Sequence, residues 1–368
     1  MSSIPRLGCC DRCPAPPGGT VGLLADGDPG AILAARVARR RLFKAAVFQQ
    51  ADGDGQAVTA ASVPTDPAGP PDVRSGFPDA SELPRAVTGT LIDVSPQVLV
   101  VGDTEETQRF TLTADATAWR GATIEPAALR QGDHVVVRLL PGGRRVADRI
   151  WANIGRVTGV IAEHSGTRLV VDEGSTRPHQ VVVIKPHSAS RIMVRFPTLR
   201  PGYLVDIIGM RHGTELEALI PATSQPSYVA SRPPALPLIS GHVPDEISGS
   251  ATWHEPREEP AGVLGVSYPA LDPETGCLED AAAPGQRYGR MPYLAVGSTL
   301  LVRNECNGAA ALLPVTGCAA MARLFNDRCV TCGTSPRGRV ADLTLASFVA
   351  LGGELDRSCF NATITIGG

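Results

Sequence analysis

Aromatic residues are scarce in this sequence, at 4% of 368 positions, so no row of stacking platforms for unpaired bases is available. Excess charge of either sign is also missing. Thirty-four Lys and Arg face 37 Asp and Glu, a formal net charge of −3, and that balance argues against a nucleic-acid partner. No apolar run reaches the roughly 18 residues that a membrane-crossing helix needs. The first twenty residues carry Cys, Pro and Gly where the apolar core of a secretory leader would lie, so export by the general route is not expected. Cysteine is absent from the whole middle of the chain. What is abundant is aliphatic: hydrophobic residues make up 43% and charged ones 19%, which describes a folded protein with aliphatic cores. Gly 39 and Pro 32 imply many turns, short strands and long connections rather than helix bundles. The length suits two or three domains.

Residues 1–86 read as an irregular arm, a helix and a linker. Over 29–50, Ile32, Leu33, Val37, Leu42 and Val47 share one helical face, with Arg36, Arg39, Arg40, Arg41 and Lys44 opposite. This basic helix is either a solvated face or a docking element for an acidic partner or anionic surface. Residues 51–84 hold little to bury.

A repeat follows. Val87-Thr88-Gly89 returns as Val157-Thr158-Gly159, Leu99-Val100-Val101 as Leu169-Val170-Val171, and Leu129-Arg130-x-Gly132-x-x-Val135 as Leu199-Arg200-x-Gly202-x-x-Val205. All three share an offset of 70 residues, which indicates duplication. Short Val/Ile/Leu runs between Gly- or Pro-bearing turns predict two small β-barrels, 87–156 and 157–222, with strands expected at 134–140 and 204–209. The Leu-x-x-Gly-x-x-Val turn resembles that of small five-stranded barrels of the oligonucleotide/oligosaccharide-binding type. Only the architecture is carried over from that resemblance, and spacing or packing is the expected role. Trp119 and Trp151 are expected in a core or interface. His134, His164, His179, His187 and His212 lack metal-ligand spacing, and neither a metal nor another cofactor is expected. A Pro/Ser-rich linker spans 223–247.

The last domain, 248–368, carries Cys277, Cys306, Cys318, Cys329, Cys332 and Cys359, an even set suited to three disulfides and an oxidising compartment. Cys329-x-x-Cys332 also admits a zinc reading, with Cys306 and Cys318 as further ligands. Cys9, Cys10 and Cys13 form an odd N-terminal cluster of open role. Alternating strands are expected at 297–304 and 359–366, a strand into a polar turn at 322–329, and a short helix from Thr344 with Leu345, Phe348 and Leu351 inward.

Several motifs arrive here in order: Gly249-Ser250-Ala251-Thr252-Trp253, Gly-x-x-Leu-x-Val-Arg-Asn (297–304), Asn326-Asp327-Arg328, and Gly-Arg-x-x-Asp-Leu-x-x-x-x-Phe-x-x-Leu-Gly (338–352). Together they resemble the double-psi β-barrel of rare lipoprotein A, expansins and barwin-like proteins, over about a third of the chain. The resemblance implies binding, and in some members cleavage, of cell-wall glycans. It implies Asp327 as a catalytic acid/base and gives Asp342 a comparable place, while Trp253, His254 and Arg328 become candidates for substrate contact. The chemistry is coherent, because glycosidic cleavage needs a carboxylic acid to protonate the leaving oxygen. Two departures stand out. His254-Glu255-Pro256-Arg257 follows Trp253 where a Tyr-Gly is usual, and 262–290 is rewritten as a Pro/Gly loop. On residue chemistry alone, Asp327 suits a turn cap and Asp342 a cap for the following helix.

The expected fold is therefore mainly β: two tandem small barrels and a disulfide-rich double-psi barrel, with an N-terminal arm and one short basic helix. Two functions compete. One is an extracellular or cell-envelope protein that binds, with cleavage as a further step, peptidoglycan or another wall polysaccharide. The other is a structural subunit of a surface filament or phage-tail-like assembly, whose partners are copies of itself. The glycan reading needs an open furrow beside the Asn-Asp-Arg turn.

Overall fold

The computed structural model describes residues 83–102, 106–142, 145–174, 177–231, 246–256, 262–271, 291–326 and 338–366. The basic helix expected at 29–50 and Cys9, Cys10 and Cys13 lie outside them. So do Cys277, Asp327, Arg328, Cys329 and Cys332. The described fold is mainly β, as expected, and is built of three closed barrels.

The first barrel closes five strands: β1 (Arg85–Val94), β2 (Val98–Gly102), β3 (Thr107–Trp119), β5 (His134–Leu139) and β6 (Val146–Ala152). A two-residue strand β4 (Thr123–Ile124) hangs on the end of β3. Around the ring, β1 pairs with β2, β2 with β3, β3 in parallel with β6, β6 with β5, and β5 back with β1. The second barrel repeats this ring with β7 (Ile154–Ser165), β8 (Arg168–Asp172), β9 (Gln180–Val183), β10 (Leu204–His212) and β11 (Glu215–Pro221), again with one parallel closing pair, β9 with β11. Register repeats too. Gly89 faces Val135 and Gly159 faces Val205, and the irregularity after Leu91 recurs after Ile161.

Equivalent positions fill the two cores. Leu91, Leu99, Val101, Leu112, Val135 and Val137 in one match Ile161, Leu169, Val171, Val182, Val205 and Ile207 in the other. The period-2 alternation of aliphatic residues is what buries one face of each strand. Gly132 and Gly202 turn the chain into β5 and β10 at φ of 87° and 88°, a left-handed conformation open to glycine at little cost. Helix α1 (Pro186–Arg195) lies between β9 and β10, opened by a proline at its first turn and burying Ser188 and Ile192.

The third barrel closes six strands in the order β12 (Glu246–His254), β16 (Arg339–Thr344), β13 (Val266–Tyr268), β15 (Ala310–Cys318), β14 (Thr299–Asn304) and β17 (Cys359–Ile366). Two of its pairs are parallel, β12 with β16 and β13 with β15. Helix α2 (Leu345–Ala350) is buried along its whole length. Over 322–326, the described part of the segment expected at 322–329, there is no strand. The chain instead forms a 3-10 turn at Ala322–Leu324, because Leu324 and Phe325 bond back three residues to Met321 and Ala322.

The core of the third barrel extends into the first two. Trp119, Val136 and Trp151 from the first, and Ile208 and Met210 from the second, join the cluster that fills the third. Trp151 donates from Nε1 to Asp356 at 2.8 Å, between the guanidinium groups of Arg138 and Arg149, 5.8 and 5.5 Å from its ring. Arg138 reaches Glu354 at 2.6 Å and Arg149 reaches Asp356 at 3.1 Å. Trp119 and Trp151 are thus core and interface residues, as the sequence suggested.

Candidate functional site

The chemistry-bearing side chains gather where β12 and β16 run in parallel. Alternation along β12 sends Ile247, Ala251 and Trp253 into the barrel core and Ser250, Thr252 and His254 to the other face. Trp253 is therefore not a ligand platform. Its ring is buried, its Nε1 donates to the Leu355 carbonyl at 3.0 Å, and the Arg156 guanidinium sits 5.8 Å from it. The expected substrate contact at Trp253 gives way to a core role.

On the opposite face the parallel register places Thr252 beside Asp342. Thr252 Oγ1 donates to Asp342 Oδ1 at 2.9 Å, and His254 Nδ1 lies 3.6 Å from Asp342 Oδ2. Thr252 and His254 are buried, while the Asp342 side chain keeps 19% of its surface exposed. Asp342 does not cap α2. Thr344 does so, accepting the Ser347 N–H at 3.2 Å.

Burial works to raise the pKa of Asp342. The neighbouring His254 outweighs it, aided by the fields of Arg177 and Arg156, and holds the carboxyl well below the usual range. Asp342 is thus a carboxylate at neutral pH. It can accept hydrogen bonds, attract a proton or balance positive charge, but it has no proton to give a leaving oxygen.

Behind this cluster lies a set of charges that the motifs did not reveal. Asp206 of β10 is fully buried and takes Arg156 in a two-pronged bond, 2.9 Å from Nε and 2.7 Å from Nη2. It also takes Arg339 Nη2 at 2.5 Å and Thr158 Oγ1 at 2.9 Å. Burial pushes the Asp206 pKa up, but the two guanidinium groups dominate and lower it. Arg156 extends to the Ser358 carbonyl at 2.7 Å, so the second barrel reaches both β16 and the turn before β17 of the third. The sequence held one signal. Asp206 stands where the first copy has Val136, a carboxylate at an apolar core position of a repeat. Glu255, a neighbour of His254 in sequence, is engaged by Arg211 at 2.9 Å and by the Arg156 N–H.

The turn leading to Asp327 meets the chain's own linker. Gln225, itself buried, donates to the Leu324 carbonyl at 3.3 Å, and its Oε1 accepts from the Asn326 N–H. Cys306 lies in the turn between β14 and β15, whereas Cys318 ends β15. Eight residues of extended strand separate Ala310 from Cys318, about 27 Å, so Cys306 and Cys318 cannot ligate one zinc ion. Among the described residues, no three His, Cys, Asp or Glu side chains gather as metal ligands. No described helix is long and apolar enough to cross a membrane. No protein-family model matches the chain, and no curated protein matches it.

Proposed function

We propose that the chain is a cell-envelope protein that holds a wall polysaccharide at the mouth of its C-terminal barrel. The observation that carries this reading is the Thr252–Asp342–His254 cluster, a partly open carboxylate aligned by a hydroxyl and an imidazole. Such a carboxylate accepts hydrogen bonds from sugar hydroxyls, and its ionised state favours holding over cutting. The double-psi assignment belongs to the same proposal. Its support is a closed six-stranded barrel with two parallel pairs, together with the ordered motifs at 249–253, 297–304 and 338–352. An extracellular or envelope setting draws on the even set of six cysteines in the last domain, the number suited to three disulfides.

The test is co-sedimentation of the full chain with insoluble peptidoglycan and, separately, cellulose, with soluble fragments assayed in the supernatant. The expected result is retention on one polymer without fragment release, and weaker retention for Asp342→Ala. No retention on either polymer overturns the reading. Fragment release abolished by Asp342→Ala overturns the non-cutting part of it.

A second reading, a building block of a surface filament or phage-tail-like assembly, draws on a different observation. Seam residues of the first two barrels join the core of the third, and Gln225 occupies ground beside Leu324 and Asn326 where a sugar furrow would run. Ordered filaments or rings in electron micrographs of concentrated native material would favour it over the glycan reading.

A further inference from the structure

A cavity of about 330 Å³ opens along the seam between the second and third barrels, at the low end of the size range for small-ligand sites. Its lining includes Arg195 from the end of α1 and Arg357 and Ser358 just before β17, with Glu354 and Phe360 alongside. The Glu354 carboxylate is already taken by Arg138 at 2.6 Å from the first barrel. Arg195 spends one N–H on the Ser224 carbonyl at 2.6 Å, and Arg357 is exposed. Among the described residues no carboxylate pairs with either guanidinium, so the cavity presents two positive forks without a carboxylate partner. A guanidinium fork matches a carboxylate in two parallel bonds.

The backbone adds an independent sign. Ser358 in this wall adopts φ 69° and ψ −49°, a conformation costly for any residue with a Cβ, and Arg156 holds its carbonyl at 2.7 Å. Strain held in place by surrounding bonds is characteristic of ligand-binding walls. The cavity is also close to the polysaccharide cluster. Asp342, Thr252 and Cys359 occupy successive strands in register, so Cys359 in the cavity wall lies about two strand spacings, about 10 Å, from Asp342.

We infer that this seam cavity binds the carboxylate-bearing sugar of a wall saccharide, with Arg195 and Arg357 gripping the acid group. The anion grip stands on the cavity itself; the sugar identity rests on the polysaccharide reading above.

Titration calorimetry on the full chain tests it with three probes: glucuronate, glucose and inorganic phosphate. Glucuronate should bind saturably and glucose at least about tenfold more weakly, with Arg357→Gln weakening glucuronate about tenfold and the remote Arg168→Gln leaving it unchanged. Glucuronate binding no better than glucose overturns the inference, as does an Arg357→Gln affinity equal to wild type. Phosphate displacing glucuronate at equal concentration overturns the saccharide assignment. Polymer co-sedimentation keeps the two proposals apart. Retention on polymer with no glucuronate binding sinks the cavity alone, and glucuronate binding with no retention on polymer sinks the polysaccharide reading alone.

Discussion

Asp206 is the side chain on which most depends locally, because it neutralises two arginines from different barrels in a site closed to water. Asp206→Asn leaves the shape and removes the charge. Breaking a buried ion network by one partner costs about 3–5 kcal/mol, and urea unfolding at neutral pH should show a loss of that order. The pH dependence has a definite sign. The folded pKa of Asp206 is depressed, so its contribution is present above the unfolded carboxylate value of about 4 and is lost as pH falls through the lower folded value. The gap between wild type and Asp206→Asn should therefore close on acidification below about pH 4; a gap constant with pH would refute the ionised assignment. Site residues were unevenly legible. Thr252 and Asp342 sit in motifs legible in the sequence, His254 follows directly after one of them, and their alignment follows from one parallel register. Trp253 misled because a motif names a residue without saying which face of the strand it occupies. Asp206 was hidden because its partners, Arg156 and Arg339, are 50 and 133 positions away in sequence.

At the scale of elements, the 70-residue offset was readable because duplication preserves both apolar period and turn chemistry, and the strands beginning at His134 and Leu204 start where those turns release them. Gly132 and Gly202 offer a matched experiment. A Cβ at either meets no close neighbour, but φ near +88° penalises any L side chain. Gly132→Ala and Gly202→Ala should each cost about 1–2 kcal/mol by thermal or urea unfolding, and by similar amounts, because strain rather than packing sets the penalty. Very unequal losses would show that the two turns are not equivalent. The described segment 322–326 had apolar residues without a clear period, and its three-residue turn is stabilised by long-range contacts such as Arg339 over Phe325 at 4.2 Å. No local pattern encodes such a contact.

For the whole molecule, tandem repeats and a Pro/Ser-rich linker marked out successive domains, and the structure joins them through buried tryptophans and ion pairs. Wild type should therefore unfold in one cooperative transition seen alike by fluorescence and circular dichroism. Trp151→Ala, which removes a fully buried side chain from the seam, should cost about 3–5 kcal/mol and split that transition in two. A single transition persisting in Trp151→Ala would mean that the seam is not what couples them. The same seam constrains how such a gene can be cut and rejoined. A fragment holding only the last barrel would carry Arg339 without its counter-ion, and one holding only the first two would lay Trp151, Ile208 and Met210 open to water. Recombination between these neighbours is then penalised at both ends, and the three segments are bound to be inherited together.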